Sequence, residues 1–538
     1  MTLKQIFNHT SESITTAAVV LGGASLISRA LGLLRDRLLT HHFGASDTLD
    51  AYYAAFRVPD FLYNLLILGA LSSAFIPLFS QHLARDSRER AWKFMNTCIT
   101  TLGSIFFVLS IVCVLAAPLV LSFLTPGFNE EKQHITIRLT QIMMVSPVLM
   151  GLSAIMGGAL QSLRKFLLYA LAPIMYNLGI IFGILVLVPI MGIYGLGFGV
   201  VLGAALHACV QIPTLMSVGF RPRFIWNPKS NDVHIMLTLM APRALALAAA
   251  QINLFIITSL ASKLPVGSVA EFNLANNIQS LPIGIIAVSY AVAAFPIMTK
   301  FAAEDNLDGL AQTVGATLRM VLTCIVPLTV LFMVLRTQWV RIIFGSGKFD
   351  WAATINTSDA LGFFAIGLIG QAGVHILARA FYALKNTRIP AITAIGSTIF
   401  GVVCAIFLMK PLGVAGLALA SAVESILNAV ILWIALHRKI GDIEDRITAT
   451  TLYKLGIAAL FMAVIVQGLK SPVAYFVNMQ TFTGVFLQAV GASVGGLIGF
   501  ITVGLLLRIE ELVTIMHGVR IKFLRLGGSI PVDVSDAG

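Results

Sequence analysis

The chain has 538 residues, 58% of them hydrophobic and 11% charged, with a formal net charge of +12. Soluble globular proteins carry about 25% charged residues, so the composition excludes that class and identifies a polytopic membrane protein. A basic balance in such a chain is the Lys/Arg excess of cytoplasmic loops, which removes nucleic-acid binding as its explanation, and five scattered cysteines without a CxxC pair indicate neither a disulfide framework nor a metal site.

Apolar runs long enough to cross a bilayer recur throughout, at 17–43, 52–80, 94–123, 136–159, 167–190, 194–217, 235–262, 270–299, 310–334, 355–378, 390–409, 413–436, 451–469 and 483–507. An all-α bundle of about fourteen transmembrane helices is therefore expected. One lysine precedes the first run and no small-residue cleavage pattern follows it, so that run reads as a retained helix. With the N-terminus inside, the connections and tails assigned to the cytoplasm hold roughly 22 of the 36 Lys and Arg, against roughly 8 on the other side. This predicts an N-in, C-in topology.

The first run carries Arg29, Arg35 and Arg37. An arginine at a helix centre costs roughly 2.5–3.5 kcal/mol on translocon scales, and such residues face a bundle interior or a watered cavity. Arg29 and Asp36 stand about two turns apart and share a face, with Gly32 between them as a possible bend. Arg35 and Arg37 have the alternative of snorkelling from a span that ends early. Further on come Asp50 at the entry of the second span, Arg57, and Asp60 beside Pro59. Arg243 follows Pro242 in the seventh span, and Arg319 lies in the ninth, either inside the bundle or at its cytoplasmic end. All six deep cations are arginine and none is lysine. Arginine cannot shed its charge, and its planar fork of donors suits phosphate and carboxylate. The intramembrane carboxylates are fewer: Asp36, Asp50, Asp60 and Glu424. Those near arginines read as salt-bridge partners that hold a cavity until a substrate competes. Glu424 has no intramembrane cation near it in sequence, and reads as a site for a coupling proton or cation or as a hydrogen-bonded structural glutamate. His41-His42 reads as an interfacial pair, and His207 and His375 as hydrogen-bonded core residues. No Walker loop, HExxH or acidic cluster of the Mg-diphosphate kind is present, so the chain reads as a transporter and not as an enzyme.

The sequence also repeats with a period near 220 residues. Ser73 to Asp86 is echoed by Ala293 to Asp305, Leu163-Arg164-Lys165 by Leu384-Lys385-Asn386, and Gly192 to Gly195 by Gly413 to Gly416. A repeat spanning six helices preserves membrane orientation, which predicts two parallel six-helix lobes, 1–219 and 235–440. A cytoplasmic linker, 220–234, joins them, and two additional helices in 441–510 and a cytoplasmic tail, 511–538, follow.

Ser28-Arg29-Ala-Leu31-Gly32-Leu-Leu-Arg35-Asp36, then Phe43-Gly44-Ala45, Asp50-Ala51 and Phe56-Arg57-Val-Pro59, resemble the opening of the MurJ/MviN lipid II flippases of the MOP exporter superfamily. Pro126-Gly127-Phe128, Ala172-Pro173 with Asn177, Gly347-Lys348-Phe349, and Phe381-Tyr382-Ala383 with Thr387-Arg388 and Pro390 resemble later motifs of that family in the same order. The resemblance implies a flippase that moves an undecaprenyl-diphosphate-linked peptidoglycan precursor from the inner to the outer leaflet of the bacterial cytoplasmic membrane by alternating access. It implies Arg29, Arg35 and Asp50 as cavity residues, Arg57 at a basic position of the family, and a groove for the polyprenyl tail on the last two helices. No cofactor is implied; coupling to the membrane potential or an ion gradient is, with Asp36 and Glu424 as coupling or structural groups. Lipid II or a related glycolipid, membrane lipids and cell-wall synthesis proteins are the expected partners.

The chain also departs from the family pattern. It has Tyr63-Asn64 in place of paired arginines, Leu68 in place of an acid, and Asn276-Asn277 in place of Asp-Arg. Arg243 is then expected to supply a substrate-binding charge in place of the one absent at Asn277. An exporter of another substrate in the superfamily, a lipid-linked polysaccharide unit or a small organic cation, is the alternative. Small-cation export predicts net negative intramembrane charge, the reverse of what this chain carries.

Overall fold

The structure is a computed structural model that describes residues 14–65 and 75–524, with side chains described except at 14–19, 86, 241–250 and 518–524. Every regular element among the described residues is helical. In chain order the main helices are α1 (Ile14–Phe43), α2 (Asp47–Ala55), α3 (Arg57–Tyr63), α4 (Arg88–Leu124), α5 (Glu130–Met143), α6 (Val145–Ser162), α7 (Phe166–Phe182), α8 (Tyr194–Cys209) and α9 (Asn231–Ser262). They continue as α10 (Ser268–Pro282), α11 (Val288–Ala303), α12 (Leu307–Val334), α13 (Trp351–Ala383), α14 (Arg388–Ile440), α15 (Asp445–Phe476), α16 (Phe482–Leu506) and α17 (Glu510–Leu524). Short helical turns connect several of them.

Ten described helical stretches are long and apolar enough to cross a membrane. One of them, α14, has non-helical backbone at Gly413 and is two segments, matching the separate runs expected at 390–409 and 413–436. The runs expected at 17–43 and 235–262 lie within α1 and α9, the run expected at 52–80 includes positions outside the described residues, Leu68 among them, and fourteen stays the expected number. Helix starts follow local sequence. Ser87, Asn129, Ser230, Asn306 and Thr481 each accept a hydrogen bond from a first-turn backbone N–H, satisfying a donor that has no partner inside the helix.

The internal repeat is visible in the backbone. α6 ends with Arg164 in the left-handed region (φ 57), Lys165 N–H bonded to Leu160 O, and Arg164 N–H bonded to Gln161 O. Lys385 (φ 55) closes α13 in the same way, through Asn386 to Phe381 and Lys385 to Tyr382. Both are Schellman closures, with a charged residue where glycine is usual. The second echo is as close: Gly192 (φ 63) and Gly413 (φ 56) turn the chain with positive φ, which only glycine adopts without strain.

The chain divides into two compact units. The first comprises Met1–Leu274, Ile343–Thr357 and Val402–Leu417. Part of its core is an aromatic stack in which Phe75 lies against Phe79 and Phe94, while Trp92 bridges Phe79 and Phe220. The linker after Gly219 is held to α4. Asn96 donates to Arg221 O (3.0 Å) and accepts from Arg223 N–H (2.9 Å), and Thr100 donates to Ile225 O (2.5 Å).

The second unit comprises Ala275–Ile342, Ser358–Gly401 and Ala418–Gly538. Its α15 and α16 pack through glycines. A Cβ added at Gly495, Gly496 or Gly499 would run into Leu469, Val466 or Ile465. Small residues let membrane helices approach closely where no hydrophobic drive separates lipid from protein. The outward faces of the same pair, Leu460, Val464, Val494 and Ile498 among them, are apolar and exposed, as expected of surface that meets acyl chains.

Candidate functional site

α1 builds one side of a recess of about 590 Å³ within the first unit, with Arg29 in its wall. Around it stand Tyr63 from α3, Ser153 from α6, Tyr169 from α7, His207 from α8, and Gln211 just beyond α8. Among the described residues no acid lines the recess. Arg29 is half-buried and has no ion-pair or hydrogen-bond partner among the described residues. An arginine that cannot neutralise itself, left unpaired at the wall of an acid-free recess, is a standing site for an anion. The far wall is a polar network. Ser153 Oγ lies 2.6 Å from His207 Nδ1, and Gln211 Nε2 donates to Ser153 Oγ (2.5 Å), Ser153 O (3.2 Å) and His207 O (3.1 Å). The Gln211 amide oxygen is buried without a partner.

The next turns of α1 use their charges differently. Asp36 is buried and accepts from Arg35 Nη2 (2.8 Å) and Nε (3.0 Å), so this arginine is already neutralised. Asn177 on α7 accepts from Arg35 Nη1 (3.4 Å) and donates to Ser28 Oγ (3.2 Å), which clamps α1 to α7 just behind the recess. Arg37 does not line the recess, and its Nη1 donates to Ile343 O (3.3 Å).

Where α1 ends, the sequence motifs converge. Lys348 N–H donates to His41 O (3.0 Å), and a Cβ at Gly44 would stand 2.5 Å from Lys348 O, so this approach needs glycine. Asp50 is buried there, facing donors. Its carboxylate accepts from Lys132 Nζ (2.7 Å), Gly267 N–H (2.8 Å) and Ala270 N–H (2.8 Å). The last two are orphan donors at the start of α10, where a helix dipole also favours a negative charge. Lys132 further pairs with Asp47 (2.7 Å) and sits 4.1 Å from the centroid of the Phe128 ring. Nearby, Glu271 is buried and accepts from Asn356 Nδ2 (3.1 Å). Arg57 is buried against neutral partners, donating to Thr258 Oγ1 (2.8 Å) and Asn273 Oδ1 (2.6 Å). The structure thus places Arg29 in the recess, Arg35 and Asp36 behind it, and Asp50 and Arg57 in packed networks outside it.

In the second unit, Glu424 accepts from Thr398 Oγ1 (2.7 Å) and packs so closely on Gly401 that a Cβ there would stand 2.8 Å from the glutamate Cβ. Arg319 is not a solvated helix-end charge: it is buried and paired with Glu444 (2.7 Å) and Glu511 (2.6 Å). Asn276 accepts from Gln279 (2.9 Å). The side chain of Arg243 lies outside the described residues, although its backbone is part of α9. One group of three possible metal ligands occurs among the described residues, His437, Asp442 and Asp445, at a largely exposed turn where His437 and Asp445 pair at 2.6 Å.

Sequence alone singles out neither Lys132 nor the partners of His207. Lys132 lies in the connection between the runs at 94–123 and 136–159, and its partner Asp50 is 82 positions away, beyond any local pattern. The Ser153–His207–Gln211 network had a local signal, a histidine and a glutamine one helical turn apart in an apolar run.

A bundle of membrane-spanning helices that encloses an unpaired guanidinium in an acid-free recess is suited to hold an anion at bilayer depth, and this defines a membrane transporter. A sequence profile of the family "Lipid II flippase MurJ" matches residues 39–487. The chain is 28% identical to the lipid II flippase MurJ of Burkholderia cenocepacia over 79% of its own length and 84% of that protein's. It is 30% identical to the probable lipid II flippase MurJ of Rhizobium tropici over 79% and 81% of the two chains. Its fold matches a solved lipid II flippase MurJ in an inward closed conformation with a TM-score of 0.73 at 24% identity, covering 89% of this chain and 98% of the other. The chain belongs to the lipid II flippase MurJ family.

Proposed function

We propose that this protein flips lipid II, the undecaprenyl-diphosphate-linked peptidoglycan precursor, from the inner to the outer leaflet of the bacterial cytoplasmic membrane. The observation that carries the reading is Arg29, an unpaired guanidinium in the wall of an acid-free intramembrane recess, in a chain of this family. A diphosphate supplies the missing negative charge, and bidentate arginine contacts are among the strongest a protein makes to phosphate. Arg35, Asp50, Arg57 and Arg243 complete the proposed substrate path. Arg35 meets substrate by exchanging Asp36 for phosphate, and Arg57 by leaving its neutral partners, an exchange that costs less than breaking an ion pair.

Alternating access is the proposed mechanism, with 1–219 and 235–440 as the rocking lobes and 441–510 carrying the lipid tail. The termini are cytoplasmic in this reading. The Asp50–Lys132–α10 contacts then lie at the outer end and must open for substrate to leave. Movement is coupled to the membrane potential or an ion gradient, with Asp36 and Glu424 as coupling or structural groups and no bound cofactor. Cell-wall synthesis proteins are the expected partners. The test is complementation of a strain depleted of its native lipid II flippase, with the accumulated lipid intermediates identified by mass. Rescue with no accumulation supports the reading, and failure at normal membrane levels of the protein overturns it.

A further inference from the structure

Of the four acids expected within the membrane, Asp36 is committed to Arg35, Asp50 to Lys132 and two backbone donors, and Glu424 to Thr398. Asp60 is different. Its carboxylate is half-buried and has no hydrogen-bond or ion-pair partner among the described residues. Asn64 reaches only its backbone, with Nδ2 donating to Asp60 O (2.8 Å). A carboxylate at bilayer depth is costly unless something completes it, and an unpaired one there marks a functional site. Asp60 also stands on α3 between Arg57 and Tyr63, each three residues away, so the three share a face. Tyr63 lines the recess, while Arg57 donates to Thr258 of α9 and Asn273 of α10. Arg57 thus holds two neutral oxygens and leaves a carboxyl group one turn along its own helix without a bond. A guanidinium bonds a carboxylate about twice as strongly as it bonds a neutral oxygen, so this choice of partners fits an Asp60 that carries a proton. The other groups that act on its charge are Arg35 from α1, itself held by Asp36, and the hydroxyls of Tyr52 from α2, Tyr63 and Tyr176 from α7.

From these features we infer that Asp60 is a proton-binding site that decides the partner of Arg57. With the proton bound, Arg57 stays on α9 and α10, as it does here. With the proton gone, the Asp60 carboxylate draws Arg57 to itself and frees α3 from α9 and α10, the exchange that the substrate path requires. Only an O–H bond forms or breaks: the proton arrives from the outer side when that side is open, and leaves through the recess past Tyr63. This inference rests on the alternating-access reading and names the group that couples it to a proton gradient, with Asp36 and Glu424 then structural. A metal cation needs several oxygens gathered about it, and no hydroxyl or side-chain amide is bonded to the Asp60 carboxylate among the described residues, whereas a proton needs one acceptor.

The experiment follows backbone hydrogen exchange over residues 256–273 of the purified full-length protein between about pH 5 and about pH 8, corrected for the intrinsic pH dependence of exchange. Lipid II flipping in proteoliposomes under an imposed pH gradient is measured beside it. Wild-type protection should fall as the pH rises, by up to about tenfold per pH unit, the limit for one exchanged proton. Asp60→Asn keeps the shape of the protonated acid and loses no side-chain hydrogen bond. It should stay protected throughout and lose flipping, and Asp60→Glu should keep both the pH response and flipping. The inference is overturned if wild-type protection is independent of pH, if Asp60→Asn responds or flips as wild type does, or if added Na⁺ moves the protection where pH does not. In each of those cases the flippase reading stands as long as wild type flips lipid II. If wild type shows the pH response and does not flip lipid II, the flippase reading falls and the proton site stands.

Discussion

Two regions of the first unit use intramembrane charge in opposite ways. At the end of α1, Asp50 meets a lysine and two backbone donors, and Lys132 meets two carboxylates and an aromatic ring, so every charge there is answered within the fold. In the recess, four turns earlier on the same helix, Arg29 is answered by nothing among the described residues. Burying a charge without a partner is expensive, and a fold keeps such a group only where something outside the fold completes it. The first region is a closed contact within the fold that opens along the proposed path, and the second offers a charge for substrate to complete. Mutations should separate the two cleanly, because removing an answered charge strands its partner and removing an unanswered one strands nothing.

The largest functional effect is expected at Arg29. Arg29→Ala should abolish complementation of a flippase-depleted strain while leaving membrane level and thermal stability near wild-type values, since no hydrogen bond or ion pair is lost. A variant that loses activity and stability together would break the comparison, because it would show that Arg29 has a structural partner.

The reverse pattern is expected at Lys132. Lys132→Met leaves the Asp50 carboxylate buried without its counterion, and breaking a buried pair from one side costs about 3–5 kcal/mol. Thermal unfolding in detergent should shift down accordingly. Adding Asp50→Asn should recover part of the loss, since an amide needs no counterion and its one oxygen can still accept from one of the two α10 donors. If the double variant is no better than the single, the charge pair is not what Lys132 contributes.

Arg319 extends the test to the second unit. Position in the ninth run places it either inside the bundle or at its cytoplasmic end, and only in the second case would its loss be harmless. Its two glutamates come from Glu444, just before α15, and from the first turn of α17, so removing it leaves two acids facing each other. Arg319→Ala should cost about 1–3 kcal/mol, the range for a lost charged hydrogen bond with a stranded partner. Arg319→Ala with Glu444→Gln and Glu511→Gln should be closer to wild type. Wild-type stability in the single variant would return Arg319 to the class of unimportant surface charges.

What sequence disclosed and what it hid follow the same division. The helical membrane class was legible because a bilayer imposes long apolar runs that nothing else in a protein resembles, and the repeat because Arg164 and Lys385, or Gly192 and Gly413, mark turns whose geometry is local. Arg29 was legible because an arginine amid an apolar run has no cheap alternative. The partners of Asp50, Arg57 and Arg319 were not, since each is completed by residues about 80 to 220 positions away whose identity alone says nothing of the pairing. Asp50 in particular matches a cavity position by resemblance, whereas its hydrogen bonds are those of a carboxylate at the start of a helix.

The smallest effect should come from the repeated turns, and it sharpens the comparison because Arg164 resembles Arg29 in one respect only. Both are arginines without a partner among the described residues, but Arg164 is exposed at the end of α6 while Arg29 lines the recess. Water answers the charge of Arg164, so deleting it should remove no interaction. Its backbone, however, sits at φ 57, as that of Lys385 does at φ 55, a conformation in which any side chain with a Cβ is strained and glycine is not. Arg164→Gly and Lys385→Gly should therefore leave transport unchanged and raise stability, each by at most about 1 kcal/mol, because relief of the left-handed strain is partly offset by the greater freedom of glycine in the unfolded chain. Equal shifts at the two positions would show that the halves of the chain repeat in energy as well as in shape. A loss of flipping in Arg164→Gly would mean that an unpaired arginine matters wherever it lies, and the argument that location inside the recess sets Arg29 apart would fail with it.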